Sequence, residues 1–413
     1  MQTDIVVVGG GLAGSLAAAM LGRARRNVVL VDPHTVYPPD FRCEKLEQGH
    51  IAVLRRTGLA GPVIRAGTWT DSLWIARYGR IVDKQPFDQY GMAYERLVNT
   101  IRAEIPGHVP ACHACAVAIR TSPQRQRVEL SDGRAIDARL VVLASGLNWN
   151  LRRDLGLSRD LVSACHSLTL GFDLVRADGR DFTFPSLQYN PESPDCGVGY
   201  LTLFRIGSVM RANLFVYAGL KSPAIAAFRT DPDTALRALL PKLARVIGDY
   251  SVTGPVKVRP TDLHAVRDFQ QPGFVLVGDA FATPCPATGT GSLKVLTDVE
   301  RLCNVHIPRW LATPGMGVEK LGAYYEDPIK VASDALSAGK AHQLRALATG
   351  RTLNWRLQRG LRFYSRLVKW SLRSALRRSS ARPIQVGGTG LPSAVPLRGR
   401  PDPDLGAYRE SRT

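Results

Sequence analysis

The chain has 413 residues, 45% of them apolar and 22% charged, with a net charge of +19. That length and apolar content support a large buried core in two lobes with an appendage, and they exclude a disordered chain or a small disulfide-stapled one. No apolar run reaches the ~18 residues of a membrane-spanning helix, and a strand starting near residue 4 leaves no room for a cleaved signal peptide, so a cytoplasmic location is expected.

The first strand is predicted over Ile5-Val6-Val7-Val8. It runs into Gly9-Gly10-Gly11-Leu12-Ala13-Gly14, and a small-residue helix follows over residues 15–21. A second apolar run, residues 28–31, ends at Asp32, 18 residues past Gly14. Strand, G-x-G-x-x-G, helix, strand and acid in this order are the pattern of a dinucleotide site. Gly9 permits the tight turn, Gly11 lets backbone approach a pyrophosphate, and Gly14 lets the helix pack close to the strand. The helix's unpaired N–H groups favour phosphate, and Asp32 is placed to accept from a ribose diol.

Phe41-Arg42-Cys43-Glu44-Lys45-Leu46 precedes a helix reaching Arg55, and Tyr94-Glu95-Arg96-Leu97 opens another. Cys112-His113-Ala114-Cys115 has C-x-x-C spacing, but no second pair completes a zinc set, so no metal is expected. The seven cysteines are read as free thiols. Residues 127–130, the turn Asp132-Gly133-Arg134 and residues 138–146 read as a hairpin with a returning strand, which ends in Ser145-Gly146.

Strand-like runs at 167–174, 197–206 and 209–217, then a helical stretch at 223–245, form an inserted sheet domain. His166 stands at its start and is a weak candidate for a pocket base. Phe274-Val275-Leu276-Val277 is another buried strand. Gly278-Asp279-Ala280 follows it, then the loop Pro286-Ala287-Thr288-Gly289-Thr290-Gly291-Ser292, then a helix over residues 293–303 that carries Lys294 as a solvated charge.

From Lys340 onward there are 16 Lys and Arg against 3 Asp and Glu. Residues 355–378 read as a basic amphipathic helix, with Leu357, Leu361, Tyr364, Val368, Leu372 and Ala375 on one stripe. Its periodicity fits an anionic membrane surface and a helix docked on its own protein equally well. No nucleic-acid module accompanies the charge, so nucleic acid is disfavoured as a partner.

The glycine fingerprint, with Gly278-Asp279-Ala280 and the Pro286 to Ser292 loop, resembles the FAD-dependent aromatic hydroxylase superfamily over roughly residues 1–330. The resemblance implies an interrupted, Rossmann-like α/β FAD domain of the glutathione-reductase type at 1–160 and 263–335. A β-sheet substrate domain occupies 161–262, a helical basic appendage 336–380 and a loose tail 381–413. It implies FAD contacts from Gly9, Gly11, Leu12, Ala13, Gly14, Asp32, Arg42, Arg96, Gly278, Asp279, Pro286, Gly289, Thr290, Gly291 and Ser292.

The activity it implies is hydroxylation or epoxidation of a small organic substrate, with NAD(P)H and O₂, through a flavin C4a-hydroperoxide. Ser145 departs from the Asp-Gly usual in the family's hydroxylases, which places direct NAD(P)H use in question. Reduction of an isoprenoid or lipid double bond is the alternative. A halogenase and a flavin-binding partner without turnover rank below both.

Overall fold

The computed structural model describes residues 1–355, 357–361 and 364–365. Ile5, Val6 and Val7 are fully buried because their strand, Gln2–Val8, lies inside a seven-stranded sheet. A strand covered on both faces must be apolar throughout, which is why the run does not alternate. Gln2–Val8 pairs in parallel with Val28–Val31 on one side and Ala135–Leu143 on the other, and Phe274–Leu276 joins Ala135–Leu143 in parallel. Val8 stands opposite both Val31 and Leu143, and Leu276 opposite Leu143. The chain segments leaving these strands, at Gly9, Asp32, Ala144 and Gly278, therefore emerge along one edge, the ligand-binding edge of an open α/β sheet.

The eight-stranded second sheet runs Tyr250–Arg267, Ser158–Arg176, Val209–Val216, Val198–Ile206, Ser186–Asn190, Thr68–Arg77, Arg80–Gly91 and Lys45–Glu47. Five of these come from the expected insertion. The other three lie within residues 45–91, so the 161–262 boundary is too narrow for this sheet. Thr68–Arg77 pairs in parallel with Ser186–Asn190, Leu187 opposite Trp74, and that long-range pairing has no local signature in the sequence. The sheet has its own core around Phe172, Leu187, Tyr189, Leu214, Phe228 and Tyr250.

The C-terminal helix Pro328–Thr349 begins ahead of the expected appendage. Asp327 caps it by accepting the N–H groups of Ile329 and Lys330. It packs on the helix Gly291–Arg301 and on the strand Val198–Ile206, bridging the two lobes. Among the described residues no helix is long and apolar enough to cross a membrane. Most of the expected basic helix at 355–378, and all of the tail at 381–413, lie outside the described residues.

Candidate active site

The glycine turn is dictated by close contact. Gly9 has φ +102°, and a side chain there would meet the Ala144 carbonyl oxygen at 2.5 Å. A Cβ on Gly14 would lie 1.7 Å from the Gly9 carbonyl oxygen, so only glycine lets the helix Leu12–Arg23 leave the strand this closely. A Cβ on Gly11 would meet nothing nearer than Tyr37 at 3.9 Å, so that glycine faces an open cradle. Ser15 N–H bonds back to Gly11 C=O at 2.9 Å, which leaves the amides of Leu12, Ala13 and Gly14 ahead of the first helical bond. These features fit a dinucleotide pyrophosphate.

Asp32 stands at the end of its strand as expected. Its carboxylate accepts Gly10 N–H (2.6 Å), His34 N–H (3.0 Å) and Arg102 Nη2 (2.8 Å). Arg102 also donates to the carbonyls of Gly10 and His34, and so clamps the turn to the strand end. This corrects the assignment of Arg96. Tyr94, Leu97, Val98 and Ile101 form the buried face of the helix Tyr94–Arg102, and Arg96 lies about 200° round from Tyr94, exposed. Tyr94 itself faces the site, edge-on to Tyr37 and beneath the Arg42 guanidinium.

Beside the turn lies a cavity of about 550 Å³. Leu12, Arg42, Asp279, Pro286, Gly289, Gly291 and Ser292 line it, bringing together both distant segments named from the sequence. Arg42 donates to Asp279 (2.8 Å) and to Asp40 (2.5 Å), and Arg259 donates to Asp40 (3.0 Å). Burial opposes the Arg42 charge, yet Tyr94, Asp279 and Asp40 outweigh it and hold its pKa above the ordinary value. Burial likewise opposes the Asp40 charge, but Arg42 and Arg259 keep that carboxyl below its usual range.

Gly289, with φ +66° and open space where a Cβ would stand, turns the loop toward the cavity. The helix Gly291–Arg301 then directs its N-terminus there; Lys294 N–H makes a helical bond to Thr290 C=O, so the amides before it are free for an anion. His50 Nδ1 accepts Glu47 N–H, so the ring's other nitrogen carries the proton and donates to Ser292 Oγ at 2.9 Å. Burial depresses the His50 pKa and keeps the ring neutral. Ser292 Oγ in turn donates to Cys43 Sγ, whose pKa burial raises.

Three assignments change. Gly278 N–H is taken by Asp298 Oδ2 (3.1 Å), so this glycine shapes the turn and leaves Asp279 to face the cavity. Thr290 turns away from it, its hydroxyl bonded to Thr288 and to Ser337 of the C-terminal helix. Lys294 is not solvated. It is 3% exposed, 2.8 Å from Asp298 and 3.0 Å from Asp334, in a buried quartet completed by Lys330. Lys330 lies 4.0 Å from the Phe281 ring centroid, directly behind the Gly278–Ala280 turn.

His166 lines neither this cavity nor the one behind it. Its nitrogens bond to Ser163 Oγ (3.1 Å) and Ala341 C=O (3.3 Å), which makes it a docking contact for the C-terminal helix.

The opposite wall is the second sheet, through Thr169, Gln188, Tyr200, Asn213, Phe215 and Thr261. One carboxyl that sequence reasoning passed over stands among them. Glu44 is 3% exposed, and burial pushes its pKa up to about 7, with Arg211 and Lys257 opposing. Behind Tyr200, whose hydroxyl donates to Ala287 C=O, lies a second cavity of about 380 Å³ that shares Gln188, Tyr200 and Thr288 with the first. Ile75, Val82, Val198, Leu344 and Leu347 supply its apolar wall.

Residues 2–305 match the family model described as FAD binding domain. Menaquinone reductase of Mycobacterium tuberculosis is 30% identical over 308 residues, 70% of this chain and 73% of that protein. The 3-demethoxyubiquinol 3-hydroxylase of Escherichia coli is 25% identical over 329 residues, 73% of this chain and 79% of that one. The p-nitrophenol 4-monooxygenase of Pseudomonas putida shares the fold with a TM-score of 0.71 at 18% identity, covering 92% of this chain and 98% of the other. A probable FAD-dependent monooxygenase of Pseudomonas aeruginosa does so with a TM-score of 0.66 at 22% identity, covering 85% and 98%. With the glycine cradle, the Arg42–Asp279 pair and the flavin-loop helix on one cavity, the chain belongs to the FAD-binding domain family and is an FAD-dependent oxidoreductase.

Proposed function

We propose that this oxidoreductase hydroxylates an apolar phenol or quinol ring bound against FAD, with NAD(P)H as reductant. The observation that carries the reading is the 550 Å³ cavity, in which the Pro286–Ser292 loop faces a sheet wall of aromatic and hydrogen-bonding side chains. Two relatives named for a quinone and a quinol support the substrate class. When bound, FAD supplies the electron transfer and the oxygen activation.

The chain's residues supply position and field. The first amides of the helix Gly291–Arg301 offer positive potential to negative charge on the reduced ring, and neutral His50 fixes Ser292 beside them. Phe215, Pro260 and Pro284 exclude water from the ring face. At the other rim, exposed Arg159 stacks against Trp149 at 4.9 Å and offers a cation to the phosphates of a nicotinamide dinucleotide. Buried Arg152 holds the rim together by donating to the carbonyls of Gly146, Asn148 and Ala280. Leu353, Leu357 and Leu361 are exposed at the start of the basic segment, which supports an anionic membrane surface as the source of an apolar substrate.

The test is oxygen uptake by the FAD-loaded protein with NADPH or NADH and a panel of phenols and quinols. Substrate-dependent uptake with one hydroxyl added per O₂ is expected. A second reading, reduction of an isoprenoid double bond, is favoured by the 30% identity to a protein named as a reductase. Anaerobic consumption of NAD(P)H with loss of a substrate double bond, and no oxygen uptake, would replace the first reading with the second.

A further inference from the structure

We infer that Glu44 accepts the hydroxyl proton of the substrate ring and thereby selects substrates that carry one. The inference rests on the phenol or quinol reading above. Its basis is where Glu44 stands and how little holds it there.

Glu44 lies two residues past Arg42, and both line the cavity, Arg42 on the side of Asp279 and Glu44 on the side of Asn213. Asn213, its amide oriented by its own partners, donates to Glu44 Oε2 at 3.1 Å. Arg211 Nε is 3.7 Å from the same oxygen but nearer to Asp173, at 3.0 Å. From the strand Tyr250–Arg267, Lys257 acts at longer range, while Arg259 is engaged by Asp40 and by the Phe41 carbonyl. One hydrogen bond and a distant, shared cation are weak support for a carboxylate this deeply buried.

Two other buried carboxylates, away from the cavity, each accept more donors. Asp327 accepts Arg301, His306 and two backbone N–H groups, and Asp298 accepts Lys294 and Gly278 N–H. Glu44 retains capacity for a further donor, and it points that capacity at the cavity where the ring must sit. Its raised pKa, caused by burial, places it where a group can both take and return a proton near neutrality.

In the step, the ring's O–H bond breaks and the proton forms an O–H bond on the Glu44 carboxylate. The electron pair stays on the ring oxygen, raising electron density at the ring carbons ortho and para to it. Those are the carbons an electrophilic oxygen attacks, and no oxidant enters the transfer itself.

The test uses the FAD-loaded full chain with 1-naphthol and 1-methoxynaphthalene as probes, followed by the flavin absorbance change without reductant. Wild type is expected to bind the naphthol about 10- to 100-fold more tightly than the ether, the scale of a hydrogen bond to a charged group. Glu44→Gln should lose most of that preference. Turnover of the naphthol should rise with pH along an acidic limb in wild type, and Glu44→Gln should lack the limb.

Asn213→Leu keeps the carboxyl but removes its donor, so the limb should move to higher pH; a merely structural carboxyl would leave it in place. Unchanged discrimination and an unchanged limb in Glu44→Gln overturn the proposal. Failure of both probes to perturb the wild-type flavin removes the phenol reading and the proposal with it.

Discussion

A carboxyl buried at 3% exposure should cost the fold stability whenever it is ionised, and Glu44 allows that cost to be measured apart from any activity. Its folded pKa of about 7 lies above the ordinary 4.5, so the folded state holds the proton more tightly than the unfolded chain does. The sign follows from linkage. The contribution of Glu44 is fully present below pH 4.5 and is lost as pH rises through about 7. At 1.36 kcal/mol per unit, that interval corresponds to at most about 3 kcal/mol.

Gln cannot ionise. Glu44→Gln should therefore match wild type within about 1 kcal/mol near pH 5 and exceed it by about 2–3 kcal/mol near pH 8. Urea denaturation across that range, with FAD at one fixed excess because bound cofactor stabilises both proteins, isolates the difference. Every other titrating group is shared, so its slope cancels. Parallel stability curves for the two proteins would refute the reasoning.

The buried quartet gives a second expectation. Lys330→Met leaves two carboxylates to one lysine, and destabilisation of about 3–5 kcal/mol in the same denaturation assay should follow. Asp334→Asn added to it should recover part of the loss, since Asp334 is the 2.7 Å partner. Flavin retention gives a third. Arg42→Ala removes charge-assisted bonds to Asp279 and Asp40 and should weaken FAD binding about 10- to 100-fold by fluorescence titration, whereas Arg96→Ala should change it less than about twofold. A fourth concerns substrate length. Leu347→Trp fills the cavity behind Tyr200 and should weaken binding of ring substrates bearing several isoprene units while sparing the tailless ring; equal effects on both would show that the cavity takes no part.

What the sequence made legible is what short-range sterics decide. Gly9, Gly14 and the apolar run before them can be read because turn, helix and strand each constrain residues within a few positions. The flavin loop was legible for the same reason, Gly289 in a left-handed turn ahead of a helix N-terminus. Arg96 shows where this stops. A motif at a helix start does not give the helix its rotational phase, and two residues of offset exchange a cofactor-facing position for a solvent-facing one.

Pairings across long sequence distances leave no such trace, and they account for the other misreadings. Lys294 reads as solvated in the sequence because one of the two carboxylates that cage it, Asp334, lies forty residues away on a helix that the expected boundary at 335/336 cuts in two. That helix also sends Ser337 to the flavin loop and Lys330 to the turn before it. The first turns of the helix Pro328–Thr349 are therefore part of the wall behind the flavin loop, and the expected domain boundary cuts through them. The same logic explains Glu44: an acid beside the cofactor arginine looks like an ordinary exposed charge until strands more than a hundred residues downstream bury it against Asn213. Burial gives that carboxyl its near-neutral pKa, and burial is a property the local sequence does not carry.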